Sequence, residues 1–201
     1  MERPDILDLS RAADRARLEV LEASGRVHRR HDALRLQLVE LVQTRARGRA
    51  LPAPEIEARV AALLDGAPEH EYGRWVFFPW SGALVHVLPV EPFRELRSDR
   101  NRHKITDAEQ SALSAARVGV VGLSVGSTSA LTLVLESIGT SFRLADYDAL
   151  ELSNMNRLRA SVADLGVPKV ELAARAMYEV DPYLDIELFE QGITEENAER
   201  F

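Results

Sequence analysis

Arg117-Val118-Gly119-Val120-Val121-Gly122-Leu123-Ser124-Val125-Gly126-Ser127 is the stretch whose reading decides the fold. Its first five residues are a short apolar run of the kind buried in parallel sheets. Glycines 122 and 126 then bracket a turn into a helical pattern that runs to Ser137. Upstream, Thr106-Asp107-Ala108-Glu109 has the capping-box form and opens a short helix to about Ala115. Downstream, Phe142 to Asp146 predicts a second strand, Pro168 to Val180 a second helix and Leu184 to Phe189 a third strand. Strands and helices alternating at this spacing argue for a parallel α/β sheet with right-handed crossovers.

The first half reads differently. From Leu7 to Leu64, leucines recur near helical spacing between arginines, and Gly25 is a candidate helix stop. Pro52 and Pro54 flank a linker, and Glu55 to Leu64 predicts a further helix. Residues 1–50 hold 11 Arg against 8 Asp plus Glu, which is read either as a helical hairpin with solvated arginines or as an anion site. A β-hairpin is predicted over 74–89, with Ser81-Gly82 at its turn. Pro79 cannot donate to a ladder, so its arm is expected at an edge or bulged. Trp75 and Trp80 are expected to pack on helices rather than form a ligand face. His86, alone among apolar residues, is expected to be a hydrogen-bonded packing residue. The boundary between the helical region with its hairpin and the nucleotide-binding half is placed at 98/99.

Composition narrows the function. The 201 residues carry a net charge of −7, and the pI is near 5.3. General nucleic-acid or anionic-membrane binding is therefore not expected. Without cysteine there is no disulfide, thiolate metal site or thiol nucleophile. No apolar run approaches the roughly 18 residues of a membrane span. The opening residues lack the layout of a signal peptide. A cytoplasmic protein is the expectation.

The chemistry sits around the glycine turn. Gly122, Ser124 and Gly126 are small enough for a phosphate to approach the backbone, and amides at a helix N-terminus face the anion. Ser124 stands where G-x-G-x-x-G has its second glycine. Such a turn also serves merely to pack a helix closely on a strand. Asp146 follows Gly126 by 20 residues at a strand end, where a carboxylate accepts bonds from ribose hydroxyls. On this reading Asp146 serves nucleotide affinity more than stability. These features leave a dinucleotide and ATP equally open. Asp146-Tyr147-Asp148 leads into Ser153-Asn154-Met155-Asn156-Arg157, and then Gly166-Val167-Pro168-Lys169. Fixed cations after the ribose acid suit a triphosphate, because departing pyrophosphate needs them. Arg157 supplies a planar fork, and Lys169 a point charge near a helix start. Asn154 is suited to a phosphate or substrate oxygen. The bland alternative is a solvated loop.

Residues 118–127 (VGVVGLSVGS), 144–148 (LADYD), 152–157 (LSNMNR) and 165–169 (LGVPK) together resemble the ubiquitin-activating-enzyme-like adenylyltransferases, the ThiF/MoeB group. The resemblance runs from about Arg100 to Phe201. It implies the first half of a Rossmann-like parallel sheet, three strands long here, and adenylation of a carboxylate by ATP with magnesium. The carboxylate is commonly the C-terminus of a small ubiquitin-fold carrier protein. By motif position Asp146 would bind ribose, while Asn154, Arg157 and Lys169 would line the phosphates. Arg102, in Arg100-Asn101-Arg102-His103-Lys104, resembles the motif that reaches into a neighbouring subunit's ATP site, which implies a homodimer. The whole chain looks closest to the N-terminal part of larger bacterial members in which a nitroreductase-like domain follows. The family's magnesium aspartate is expected past Phe201, so these residues alone are not expected to adenylate. The competing functions are an NAD(P)- or flavin-binding oxidoreductase component and a non-catalytic scaffold that keeps the fold.

Overall fold

The computed structural model describes residues 2–201, which divide into two compact units, Glu2–Asp99 and Arg100–Phe201. The elements of the first unit are β1 (Asp5–Leu7), α1 (Ala12–Ala23), β2 (Arg29–Asp32), α2 (Leu34–Arg45), α3 (Ala53–Leu64), β3 (Arg74–Phe78), β4 (Ala83–Val87) and α4 (Val90–Ser98). The expected helices and hairpin are present, but the hairpin is the centre of a four-stranded sheet ordered β1-β3-β4-β2. Strand β1 runs antiparallel to β3, with Leu7 opposite Trp75, and β2 runs parallel to β4, with Asp32 opposite His86. Both short strands escape a helical reading of the region. All four residues of β2, Arg29-Arg30-His31-Asp32, are polar and exposed, so pairing rather than apolar alternation makes it a strand. The expectation for Pro79 is also corrected: β3 is a central strand and ends at Phe78, one residue before the proline. Pro79 lies in the turn, which closes with the Gly82 amide donating to the Phe78 carbonyl at 2.9 Å.

Trp75 and Phe77 join Leu7, Leu18, Leu21 and Leu84 in one buried cluster, while Leu34, Leu38, Leu41, Val60 and Leu88 form a second. Trp75 is only 1% exposed and stacks on buried His86 with ring centroids 4.4 Å apart. His86 Nδ1 lies 3.0 Å from Asp32 Oδ1, and its Nε2 lies 2.6 Å from the Tyr72 carbonyl oxygen. It is a packing residue with both ring nitrogens engaged.

The second unit begins with a 3-10 turn, Asp99–His103, overlapping the boundary, and continues through α5 (Asp107–Ser114), β5 (Arg117–Val121), α6 (Gly126–Leu135), β6 (Ser141–Ala145), α7 (Lys169–Val180) and β7 (Asp185–Phe189). The capping box at α5 is formed from both sides: Thr106 N–H donates to Glu109 Oε2 at 2.8 Å, and Glu109 N–H donates to Thr106 Oγ1 at 3.2 Å. Strands β5, β6 and β7 are parallel and in that order, with Val121, Ala145 and Phe189 in register at their C-terminal ends. This is the Rossmann-like α/β arrangement read from the sequence. Helices α6 and α7 pack on each other and on the sheet, burying Phe142, Leu144, Ile186, Ala130, Val134, Val170, Ala174 and Met177. A Cβ at Gly126 would stand 2.7 Å from Val120 Cγ1, so the absent side chain lets α6 approach β5. Strand β5 is at the edge of these three strands, and its Val121 is 63% exposed. Phe201 lies over Gly119 of this strand and meets the Phe189 ring edge-on at 5.0 Å. No helix among the described residues is long and apolar enough to cross a membrane.

Trp75→Ala should cost about 3–5 kcal/mol of stability, the scale for emptying a large aromatic site in a core. Urea denaturation followed by the fluorescence of the remaining Trp80 checks this, and a loss below about 1 kcal/mol would contradict the packing described.

Candidate functional site: the glycine turn and its acids

The C-terminal ends of parallel strands, where chain turns into helix, are where α/β sheets present backbone amides to ligands. In this unit those ends are held together by one carboxylate. Asp146 follows β6 directly and is 9% exposed. Its Oδ2 accepts the Leu123 amide at 2.6 Å, and its Oδ1 accepts the Asp148 amide at 2.8 Å. Its own amide donates to the Phe189 carbonyl at the end of β7 at 3.3 Å. The side chain thus ties the β5–α6 turn to the segment after β6. This corrects the expectation that Asp146 contributes little to the fold: its carboxylate is part of the scaffold on which the site is built.

The turn itself follows from residue type. Gly122 has φ +81°, a conformation in which a Cβ is strained, and its amide continues the sheet pairing by donating to the Ala145 carbonyl at 2.8 Å. Ser124 is not among the residues of positive φ, so the second position needs no glycine. Val125 occupies the N-cap of α6, and no side chain caps that helix. The first amides of α6 therefore lack the side-chain acceptor that usually meets them, which is the arrangement an anion fits.

Lys169 opens α7, directly after Pro168. Its side chain is 5% exposed, and its Nζ lies 2.6 Å from Asp148 Oδ2 and 3.5 Å from Ser124 Oγ. Main-chain pairing brings it there. Ala149 bridges Pro168, the Leu150 amide donates to Val167, and the Gly166 amide donates back to Leu150, both at 2.9 Å. Residues 151–165 are pinched off as a loop by these bonds. Beside Lys169, a mostly apolar hollow between α6 and α7 is lined by Leu123, Ser127, Leu131, Leu158 and Leu172.

Gly122, Ser124, Gly126, Asp146 and Lys169 are thus brought together. Asn154 and Arg157 belong to the pinched loop, and their side-chain hydrogen bonds among the described residues are local to it. Asn154 is buried within its own 3-10 turn, Leu152–Asn156, its Oδ1 accepting the Glu151 amide at 3.2 Å and its Nδ2 donating to Ser153 Oγ at 3.4 Å. Arg157 is exposed and donates from Nη1 to Asn156 Oδ1 at 2.9 Å. Arg102 is exposed on the turn Asp99–His103. Sequence reasoning weighed Asp148 only as a structural partner for Arg157 and gave it no role toward Lys169. Its signal was the acid-x-acid spacing of Asp146 and Asp148, which puts the second carboxylate within reach of a lysine at the next helix start.

Asp146→Ala should destabilise the second unit by about 1–3 kcal/mol, because two main-chain amides lose a charged acceptor. Amide hydrogen exchange at Leu123 and Asp148 should accelerate in the variant. Unchanged exchange at both would show that the carboxylate does not organise the turn.

Residues 98–201 match the ThiF family. Across 153 residues, or 76% of this chain, the sequence is 44% identical to "Uncharacterized protein MT1398" of Mycobacterium tuberculosis (strain CDC 1551 / Oshkosh), covering 20% of that protein. Across 118 residues, or 58% of this chain, it is 35% identical to "Ubiquitin-like modifier-activating enzyme 5" of Drosophila ananassae, covering 29% of that protein. The chain therefore spans less than a third of the length of these curated relatives. Among solved structures, Escherichia coli tRNA N6-threonylcarbamoyladenosine dehydratase, TcdA, superposes with a TM-score of 0.49 at 23% identity, over 53% of this chain and 45% of that one. With the family match spanning half its length, the chain belongs to the ThiF family.

Proposed function

We propose that the second unit binds ATP and takes part in adenylating a carboxylate, with the C-terminus of a small ubiquitin-like protein or of a peptide as substrate class. The observation that carries this reading is the placement of Lys169 Nζ, 3.5 Å from Ser124 Oγ in a glycine turn whose helix start has no side-chain cap. A buried ammonium beside a helix start without a side-chain cap suits phosphate oxygens. Membership of the ThiF family, and the 35% identity to a protein named as a ubiquitin-like modifier-activating enzyme, support the substrate class.

In the proposed reaction a carboxylate oxygen attacks the α-phosphorus of ATP. The bond from that phosphorus to the bridging oxygen breaks, giving an acyl adenylate and pyrophosphate. Asp146 stands at the edge of the turn for the ribose hydroxyls, one of which would share its oxygens with the Leu123 and Asp148 amides. Lys169 meets phosphate oxygens from the turn side. Arg157 reaches the departing pyrophosphate from the pinched loop, where its fork would stabilise charge that grows toward the transition state. Asn154 holds that loop in shape through its own turn and is assigned to the phosphate side of the site. Arg102, on an exposed turn, is assigned to the ATP site of a second copy in a homodimer. Magnesium accompanying the nucleotide would neutralise phosphate charge. Among the described residues no three His, Asp or Glu side chains cluster to hold a metal, so no ligand is assigned to it and no step runs through it.

Calorimetric titration of ATP and of NADH tests the reading. ATP should bind and NADH should not; NADH binding without ATP binding would replace the proposal with a dinucleotide site. Arg157→Ala should melt at the wild-type temperature, since its side chain bonds only the neighbouring Asn156 among the described residues. It should lower ATP–pyrophosphate exchange by the adenylating protein roughly 10²–10³-fold, the scale of removing one preorganised stabiliser. Full exchange by a destabilised variant would confine Arg157 to a structural role.

A further inference from the structure

The geometry points to Asp148 as the positioning residue for Lys169: it holds the ammonium toward the glycine turn before any anion arrives. The inference rests on the ATP reading for the identity of the anion, though not for the contact itself. Lysine is a flexible four-carbon stem with a compact charge, and burying that charge without a partner is costly. Here the Lys169 side chain is 5% exposed, and Asp148 Oδ2, on a side chain 50% exposed, takes its Nζ at 2.6 Å. Asp148 is fixed through its main chain at both ends. Its amide donates to Asp146 Oδ1 at 2.8 Å, and its carbonyl accepts the Lys169 amide at 2.9 Å.

The contacts close a ring. Leu123 N–H meets Asp146, Asp146 meets the Asp148 amide, the Asp148 carboxylate meets Lys169, and Lys169 returns to Ser124 one residue from Leu123. Three chain segments that are far apart in sequence are registered by it: the turn after β5, the end of β6 and the start of α7. An ammonium has three N–H donors. One can stay on Asp148 while the others turn to phosphate oxygens, so binding an anion does not require the ion pair to be broken. The lysine's rotamer cost is then met before the ligand binds, which is preorganisation.

Asp148→Asn separates these roles, because it keeps the side chain's size and both main-chain bonds while removing the charge. ATP and adenosine are titrated calorimetrically into wild type, Asp148→Asn, Lys169→Met and the double variant, with circular dichroism confirming that each folds; Asp148→Ser replaces any asparagine variant that does not. Loss of the charged contact should weaken ATP about tenfold. Adenosine affinity should be unchanged, and Asp148→Asn should add nothing when Lys169 is already methionine. Additive losses, or equal losses for ATP and adenosine, would make Asp148 a structural residue and overturn the inference. A second readout needs no nucleotide. The sequence holds only two lysines, Lys104 and Lys169, so acetylation followed by mass spectrometry reads one against the other. Lys169 should label more slowly than Lys104 in wild type and faster in Asp148→Asn than in wild type. Unchanged labelling of Lys169 in the variant overturns the positioning role even where ATP binds. Faster labelling in a protein that prefers ATP no more than adenosine upholds the positioning role and rejects ATP as the anion.

Discussion

The Asp146 carboxylate is the constraint on which the second unit depends. A parallel sheet ends in loops, and ordering a loop costs conformational entropy that its contacts must offset. Asp146 pins two at once, taking the Leu123 amide from one and the Asp148 amide from the other. Charged acceptors make stronger hydrogen bonds than neutral ones. The position is also economical chemically, since a carboxylate fixed by two amides keeps lone pairs for a ligand's hydroxyl groups.

From that anchor the rest of the site follows. With Leu123 fixed, the turn presents Ser124 and the start of α6 to the space that Lys169 faces. With the Asp148 main chain fixed, the pairing of 149–150 with 166–168 carries Lys169 to the same place. Ser124, a departure from the usual glycine, is accommodated because its backbone is not left-handed, and its hydroxyl becomes the lysine's second neighbour. The first unit is organised on different terms. There a polar strand, β2, is held by pairing, by Arg30 lying 4.1 Å over the Trp75 ring and by Asp32 against His86.

Legibility in the sequence tracked how local each signal was. The capping box at Thr106, the strand–turn–helix around Gly122 and the run from Lys169 to Val180 each rest on neighbours within a few residues. They were readable for that reason. Strands β1 and β2 depend on partners some 50 to 70 residues away, Phe77 for Asp5 and His86 for Asp32. Their own residues carry no apolar alternation, so no local rule finds them. The same division holds in the site. Gly122, Asp146 and Lys169 are marked by position beside a strand or helix end, whereas the Asp148–Lys169 contact exists only after two main-chain segments pair.

The most direct test of the central claim, that nucleotide binds on the glycine turn under Asp146 and Lys169, is hydrogen–deuterium exchange with and without ATP. Protection confined to residues 122–127, 146–148 and the start of α7 is the predicted result. Protection that spares the turn, or exchange that ATP does not alter, would contradict it.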